Sequence, residues 1–230
     1  DNNSMKKIIF FGDSVTYGGS IISNKDLFSE QLCKNLNENK KNKFLCGNLG
    51  ANGYNLYSII RSIKYKNFDN EDLIIVTIIA NNFSRMFHNP LSQPFWTKNI
   101  DNFFPALTEI FFIYLDQFRM SLKHDLNKEK ILSEINKMYY NDLIDELENA
   151  LYDTDKPYMI LYSPSINELK NKENNQYFKN LLIKKFFNFY DLSEIEYKDK
   201  EELYYDEIHL NKKGHKIYSQ YIYSLIQKKF

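Results

Sequence analysis

The sequence is short of the residues that most readily betray special chemistry. It has two cysteines, Cys33 and Cys46, in 230 residues. They match no metal-ligand spacing and are too few for the disulfide framework of a small secreted scaffold, so both are read as small apolar side chains. Pairing would favour an exported location, but it depends on a Cα separation that sequence does not give. Neither sign of charge is in excess: 30 Lys and Arg stand against 30 Asp and Glu. No bulk field therefore draws the chain to nucleic acid or to an anionic membrane, and neither is expected as a partner. The lysine-rich pieces "NENKKNKF" and "NKKGHK" are interleaved with asparagine and read as solvated turns and helix faces. Long apolar runs are missing too. A membrane span needs about 20 such residues, and the nearest stretch, "FFPALTEIFFIYL", is shorter and carries Glu109. No signal-peptide pattern precedes the first apolar run, which favours a cytoplasmic location, although the leading "DNNS" before Met5 is also what a cut within a longer chain would leave.

What is present is enough for one folded domain spanning residues 1–230. Hydrophobic residues make up 43% and charged residues 26%, ordinary values for a chain that buries a core. Tyr and Phe are abundant at 18 each. The accompanying wealth of Lys, Asn and Ile suggests an AT-rich bacterial genome, so an aromatic stripe is first a compositional effect. The pattern alternates between strand and helix. "KKIIFF", "KFLCGNL", "DLIIVTIIA", "KPYMILYSP" and "FFNFYDLS" are strand candidates, and the third is continuously apolar as expected of a strand covered on both faces. Between them, Leu27, Phe28, Leu32 and Leu36 fall at helical spacing, as do Leu56, Ile59, Ile60 and Ile63. "KEKILSEINKMYYNDLIDELENALYD" and the closing "KKGHKIYSQYIYSLIQKK" read as long helices. Such alternation predicts an α/β fold of parallel β-α-β units, with helices on both faces of a five-stranded sheet and ligands beyond the strands' carboxyl ends. Between the third and fourth strands, residues 83–125 form an aromatic-rich, partly helical insertion, which serves either as a lid over a cleft or as a segment packing its own apolar face.

The first strand candidate ends in "GDSVTYGGS". A phosphate-binding P-loop needs a lysine followed by Ser or Thr after its glycines, and none is here. Gly12, Gly18 and Gly19 miss the dinucleotide-binding spacing as well. A nucleophile is the remaining chemical reading, and it asks for a base, an orienting acid and donors for an oxyanion. Near the other end, "YYDEIHLNKKGHKIY" sets Asp206 three residues before His209. That spacing lets a carboxylate reach one imidazole nitrogen while the other points toward the cleft. His215 reads as structural, and His88 and His124 have no carboxylate at a suggestive spacing. No cluster of His, Cys and carboxylates suggests a metal, and a serine mechanism needs no cofactor.

Taken together, "GDSVT", "NLGANGYN", "IIANNFS" and "DEIHLNKKGH" resemble the four blocks of the SGNH, or GDSL-type, hydrolase family, in the family's order from Ile8 to His215. The resemblance implies a three-layer α/β/α, flavodoxin-like fold with a mostly parallel five-stranded sheet. It implies Ser14 as nucleophile, His209 as general base and acid, and Asp206 as its orienting partner. The backbone N–H groups of Ser14 and Gly53, with the Asn81 amide, would form the oxyanion hole; Gly50 is the alternative glycine. In the third block Ile79 stands where the family commonly has glycine and Asn82 where it commonly has an acid. A register slip of one would make Asn82 the donor and put Ala80 in the glycine's place. Asp13 is expected to hold the turn through backbone amides. The activity implied is hydrolysis of a small acyl ester, such as acetyl on a carbohydrate, through an acyl-enzyme. The same residues would serve an O-acyltransferase, and a non-catalytic binding module is the third reading.

Overall fold

The computed structural model describes residues 5–19, 21–38, 43–68, 71–84, 128–170 and 176–229. Most of the 83–125 insertion, with His88 and His124, lies outside the described residues. Chain contacts divide the molecule into a unit of Asp1–Arg85 with Leu143–Phe230 and a unit of Met86–Asp142. Everything below concerns the first.

Five strands form its sheet: β1 (Lys6–Gly12), β2 (Phe44–Gly50), β3 (Leu73–Ile78), β4 (Tyr158–Tyr162) and β5 (Phe189–Asp191). Their order is β2-β1-β3-β4-β5 and every pairing is parallel. All six residues of β3 are buried, Thr77 being the one polar side chain among them, as expected of a strand at the sheet's centre. The chain first steps from β1 outward to β2, then returns to place β3 on the other side of β1. That reversal opens a crevice beyond the carboxyl ends of β1 and β3, the usual ligand position in an open α/β sheet.

Alternate residues of β1 point to opposite faces. Ile8 and Phe10 join one core with Leu73, Ile75, Met159 and Leu161. Helices α2 (Phe28–Glu38) and, at the chain's end, α8 (Lys212–Lys229) cover this face through Phe28, Leu32, Leu36, Tyr218, Ile222 and Ile226. Helix α3 (Leu56–Tyr65) supplies buried Leu56, Ile59, Ile60 and Ile63 on the opposite face. It begins at Asn55, whose side chain accepts the Ser58 N–H. Three further helices contribute to this unit: α5 (Lys128–Tyr152), which belongs to it from Leu143 onward, α6 (Ile166–Lys170) and α7 (Gln176–Lys185). Two more, α1 (Ser14–Tyr17) and α4 (Ala80–Ser84), are short turns at strand ends. Among the described residues no helix is long and apolar enough to cross a membrane.

Three local expectations need correction. Cys33 and Cys46 are not separate apolar side chains: they are disulfide-bonded across a Cα separation of 5.9 Å, tying α2 to the edge strand β2. The Asn37 side chain reinforces this corner by bonding both the N–H and the C=O of Phe44. Leu27 does not share a helix with Phe28, Leu32 and Leu36: its extended backbone (φ −63°, ψ 144°) separates a 3-10 turn from α2. The third strand stops at Ile78 because the Asn82 side chain takes the Ile79 N–H and starts a helical turn instead.

Candidate active site

The Ser14 turn is built from the end of β1. At Gly12 an added Cβ would stand 2.1 Å from Thr16 Oγ1 and 3.0 Å from the Thr77 carbonyl, so only glycine lets α1 fold back against β3. Asp13 is fully buried and caps that turn: its carboxylate accepts the Val15 N–H at 3.0 Å, and its carbonyl accepts those of Thr16 and Tyr17. Ser14 is thereby held at the first position of the turn, 6% exposed. Asn48, a polar residue within β2, braces the turn from the side by donating to the Thr16 carbonyl and to Ser29 Oγ. The turn closes on Gly18 (φ 93°) and Gly19 (φ 59°), both in the left-handed region.

His209 reaches Ser14 from 195 residues downstream. Its loop is closed by an antiparallel bridge between Tyr204 and Leu210 and by the Tyr205 N–H donating to the His209 carbonyl at 2.7 Å. Within the loop, Asp206 Oδ1 accepts the N–H groups of Ile208 (3.0 Å) and His209 (2.8 Å). Asp206 Oδ2 lies 2.7 Å from His209 Nδ1, and His209 Nε2 lies 2.8 Å from Ser14 Oγ. Partial burial opposes ionisation of Asp206, yet the two backbone donors and the imidazole outweigh it and hold the carboxyl below its ordinary range. An ionised Asp206 only accepts, so Nδ1 carries the proton and Nε2 is left to accept the Ser14 O–H. Gly19 packs against the ring; a Cβ there would stand 3.0 Å from His209 Cδ2 and 3.3 Å from Nε2. The sequence resembles the GDSL-like lipase/acylhydrolase family model over residues 8–222. The chain belongs to that family.

A search of curated proteins finds no match. Among solved structures, the fold is shared with a lipase/acylhydrolase from Enterococcus faecalis at 12% identity and a TM-score of 0.59, covering 98% of this chain and 97% of that one. It is shared with an acetyl xylan esterase at 16% identity and a TM-score of 0.56, covering 96% and 99%. A variant of an acetyl-xylooligosaccharide esterase from Geobacillus gives 16% identity and a TM-score of 0.59, covering 99% and 95%. The protein is thus a GDSL-type hydrolase, of an esterase and lipase family, with the five-stranded parallel sheet of that fold.

The second and third family blocks lie at the mouth of the crevice. Gly53 is exposed with φ 75°, and nothing stands within 4 Å of where its Cβ would be. Gly50 is different: a Cβ there would come within 2.7 Å of the Tyr17 nitrogen, so this glycine admits α1 against β2. Asn82 is fully buried. Its oxygen accepts the Ile79 N–H at 2.7 Å and its amide donates to the Tyr54 carbonyl at 2.8 Å, linking the third block to the second. A carboxylate could not make that donation, which accounts for asparagine where this family commonly has an acid. Asn81 is half-buried beside it.

His215, expected to be structural, is 1% exposed, and its Nδ1 accepts the Phe28 N–H at 3.2 Å. Burial lowers its pKa to about 4, with nearby His209 acting in the same direction and Asp26 opposing. Among the described residues no three His, Cys, Asp or Glu side chains converge as a metal site would require. Sequence reasoning missed Asn48, Asn82 and Tyr204 as organisers of the site. The available signal was a polar side chain inside an otherwise buried strand or turn, where a backbone partner is obligatory.

Proposed function

We propose that this hydrolase is a serine esterase that removes a small acyl group, of the acetyl class, from a carbohydrate ester. The Ser14–His209–Asp206 hydrogen-bonded chain carries the reading. In it, His209 Nε2 takes the Ser14 proton as Oγ attacks the ester carbonyl, and Asp206 stabilises the imidazolium. The backbone N–H groups of Ser14 and Gly53 and the amide of Asn81 receive the oxyanion. The commitment of Asn82 to Ile79 and Tyr54 supports Asn81, rather than Asn82, as the side-chain donor. His209 then returns its proton to the leaving alcohol; in the second half, His209 takes a proton from the water that attacks the acyl carbonyl and gives it to Ser14 Oγ as the acyl–oxygen bond breaks and the acid leaves. The acetyl and carbohydrate assignments draw support from the acetyl xylan esterase and the acetyl-xylooligosaccharide esterase that share the fold. The Cys33–Cys46 bond supports work in an oxidising compartment rather than in the cytoplasm.

The test is a panel of p-nitrophenyl acetate, butyrate and octanoate beside acetylated xylooligosaccharides, with acetate release followed directly. The expected order has acetate fastest and octanoate slowest, and the acetylated sugar is deacetylated. Faster octanoate cleavage with no acetate released from the sugar would overturn the substrate assignment.

A further inference from the structure

None of the five residues from Tyr205 to His209 is fully buried, and Ile208 packs only part of its side chain against the core, so packing fixes the loop lightly. Most of its position comes from its base and its ties to the sheet. The base is buried Leu203, Tyr204 and Leu210, joined by the Tyr204–Leu210 bridge. The Asn211 amide also donates to the carbonyls of Glu202 and Tyr204. Three hydrogen bonds link this assembly to the chain leaving β4, one of them the exposed Asn167 amide donating to Glu207 Oε1 at 2.6 Å. The Ile166 N–H donates to the Glu207 carbonyl at 2.9 Å, and the Tyr204 hydroxyl donates to the Pro164 carbonyl at 2.6 Å. Strand β4 is in fixed register with β3, and β3 with β1, which delivers Ser14. Of the two links made by side chains, that of Asn167 is exposed and that of Tyr204 is buried, so the Tyr204 hydroxyl is the buried side-chain peg relating His209 to the sheet that holds its partner.

We propose that Tyr204 is a positioning residue for the acid–base loop, its hydroxyl setting the distance from His209 Nε2 to Ser14 Oγ by clasping the Pro164 carbonyl. This rests on the esterase reading above. The direction of the hydrogen bonds favours it. The Pro164 carbonyl can only accept, so it takes the single Tyr204 proton. Tyr218 must then donate to Tyr204 at 3.0 Å, and Ser163 to Tyr218 at 3.3 Å. The result is a one-way chain, Ser163 to Tyr218 to Tyr204 to Pro164, in which only the last bond ties the loop. Tyr218 lies on α8 and its hydroxyl reaches the loop through Tyr204, which makes it the internal control. Both rings are buried, and burial raises both phenol pKa values, so the hydroxyls stay protonated.

The experiment compares the wild type with Tyr204→Phe and Tyr218→Phe. Each variant keeps its ring and loses one buried hydroxyl; circular dichroism and thermal melting report what each loss does to the fold. Activity is read as kcat and KM on p-nitrophenyl acetate and as the rate at which a fluorophosphonate labels Ser14. The expected result is a fall of about tenfold or more in kcat and labelling rate for Tyr204→Phe with KM unchanged, since misplacing a catalytic group by about 1 Å costs up to about a hundredfold. Tyr218→Phe melts at a lower temperature yet keeps both rates within about twofold. Equal losses in the two variants, or a wild-type rate in Tyr204→Phe, would overturn the positioning role alone. A wild-type protein that fails to label would overturn the esterase reading and this inference with it.

Discussion

Mild acid should destabilise this fold through His215. In an unfolded chain the imidazole has its ordinary pKa of 6.5; in the folded protein burial brings it to about 4. Between those values the unfolded state binds the proton and the folded state does not, so stability rises with pH across the window. It is fully present above about pH 6.5 and is lost as pH falls toward 4. Integrating that difference gives a loss of about 2 kcal/mol between pH 7 and pH 5, and about 3 kcal/mol by pH 4. The structural reason is specific: Nδ1 must stay unprotonated to accept the Phe28 N–H, and the ring lies stacked on Phe28 at a centroid distance of 5.7 Å. The assay is urea unfolding at pH 7 and pH 5 for the wild type and for His215→Gln, whose side-chain carbonyl can still accept from Phe28 but does not titrate. Other titrating groups act alike in both proteins and cancel in the comparison. The pH 5 arm also stays above the range where Asp206, with its lowered pKa, loses its charge. The wild type should lose about 2 kcal/mol more than the variant over this interval. Equal losses would refute the buried, neutral assignment of His215.

The disulfide closes a sequence separation of 13, for which loop entropy gives about 3 kcal/mol. Thiol titration of unreduced, denatured protein should find no free cysteine, and Cys33→Ser with Cys46→Ser should lower the urea midpoint accordingly; two free thiols would contradict it. Gly19→Ala places a Cβ 3.0 Å from the His209 ring in a left-handed backbone. It should reduce kcat on p-nitrophenyl acetate by about tenfold or more, and unaltered turnover would show that the ring has room to move. Asn82→Asp keeps the acceptor for Ile79 but loses the donor to Tyr54. It should destabilise by about 1–3 kcal/mol in urea unfolding, and a neutral result would remove the proposed reason for asparagine at this position.

The sheet was legible because its signals are local. Continuous β-branched runs marked β3, and helical spacing of Leu56, Ile59, Ile60 and Ile63 marked α3. The strand order and the reversal beside β1 came from the structure, since propensity does not say which strands are neighbours. The disulfide was illegible for a similar reason: Cys33 and Cys46 meet across a helix and a strand, and their 5.9 Å separation is a product of the whole layer. At the site, the acid–histidine spacing and the "GDS" turn pointed to the three side chains that the structure joins by hydrogen bonds, but not to the supports that aim them. Tyr204 and Tyr218 read as two more aromatics in an aromatic-rich chain, and their hydroxyl chain exists only where α8, β4 and the His209 loop converge. Asn82 looked like a departure from pattern; its two backbone bonds give the departure a physical reason.

The central claim is that Ser14 forms a covalent acyl-enzyme under the control of His209. Intact-protein and peptide mass spectrometry after fluorophosphonate treatment tests it most directly, with Ser14→Ala and His209→Ala alongside. The prediction is a single adduct on Ser14 in the folded wild type, none in Ser14→Ala, and labelling slowed by several orders of magnitude in His209→Ala. An adduct on another residue, or turnover of p-nitrophenyl acetate by Ser14→Ala at the wild-type rate, would contradict it.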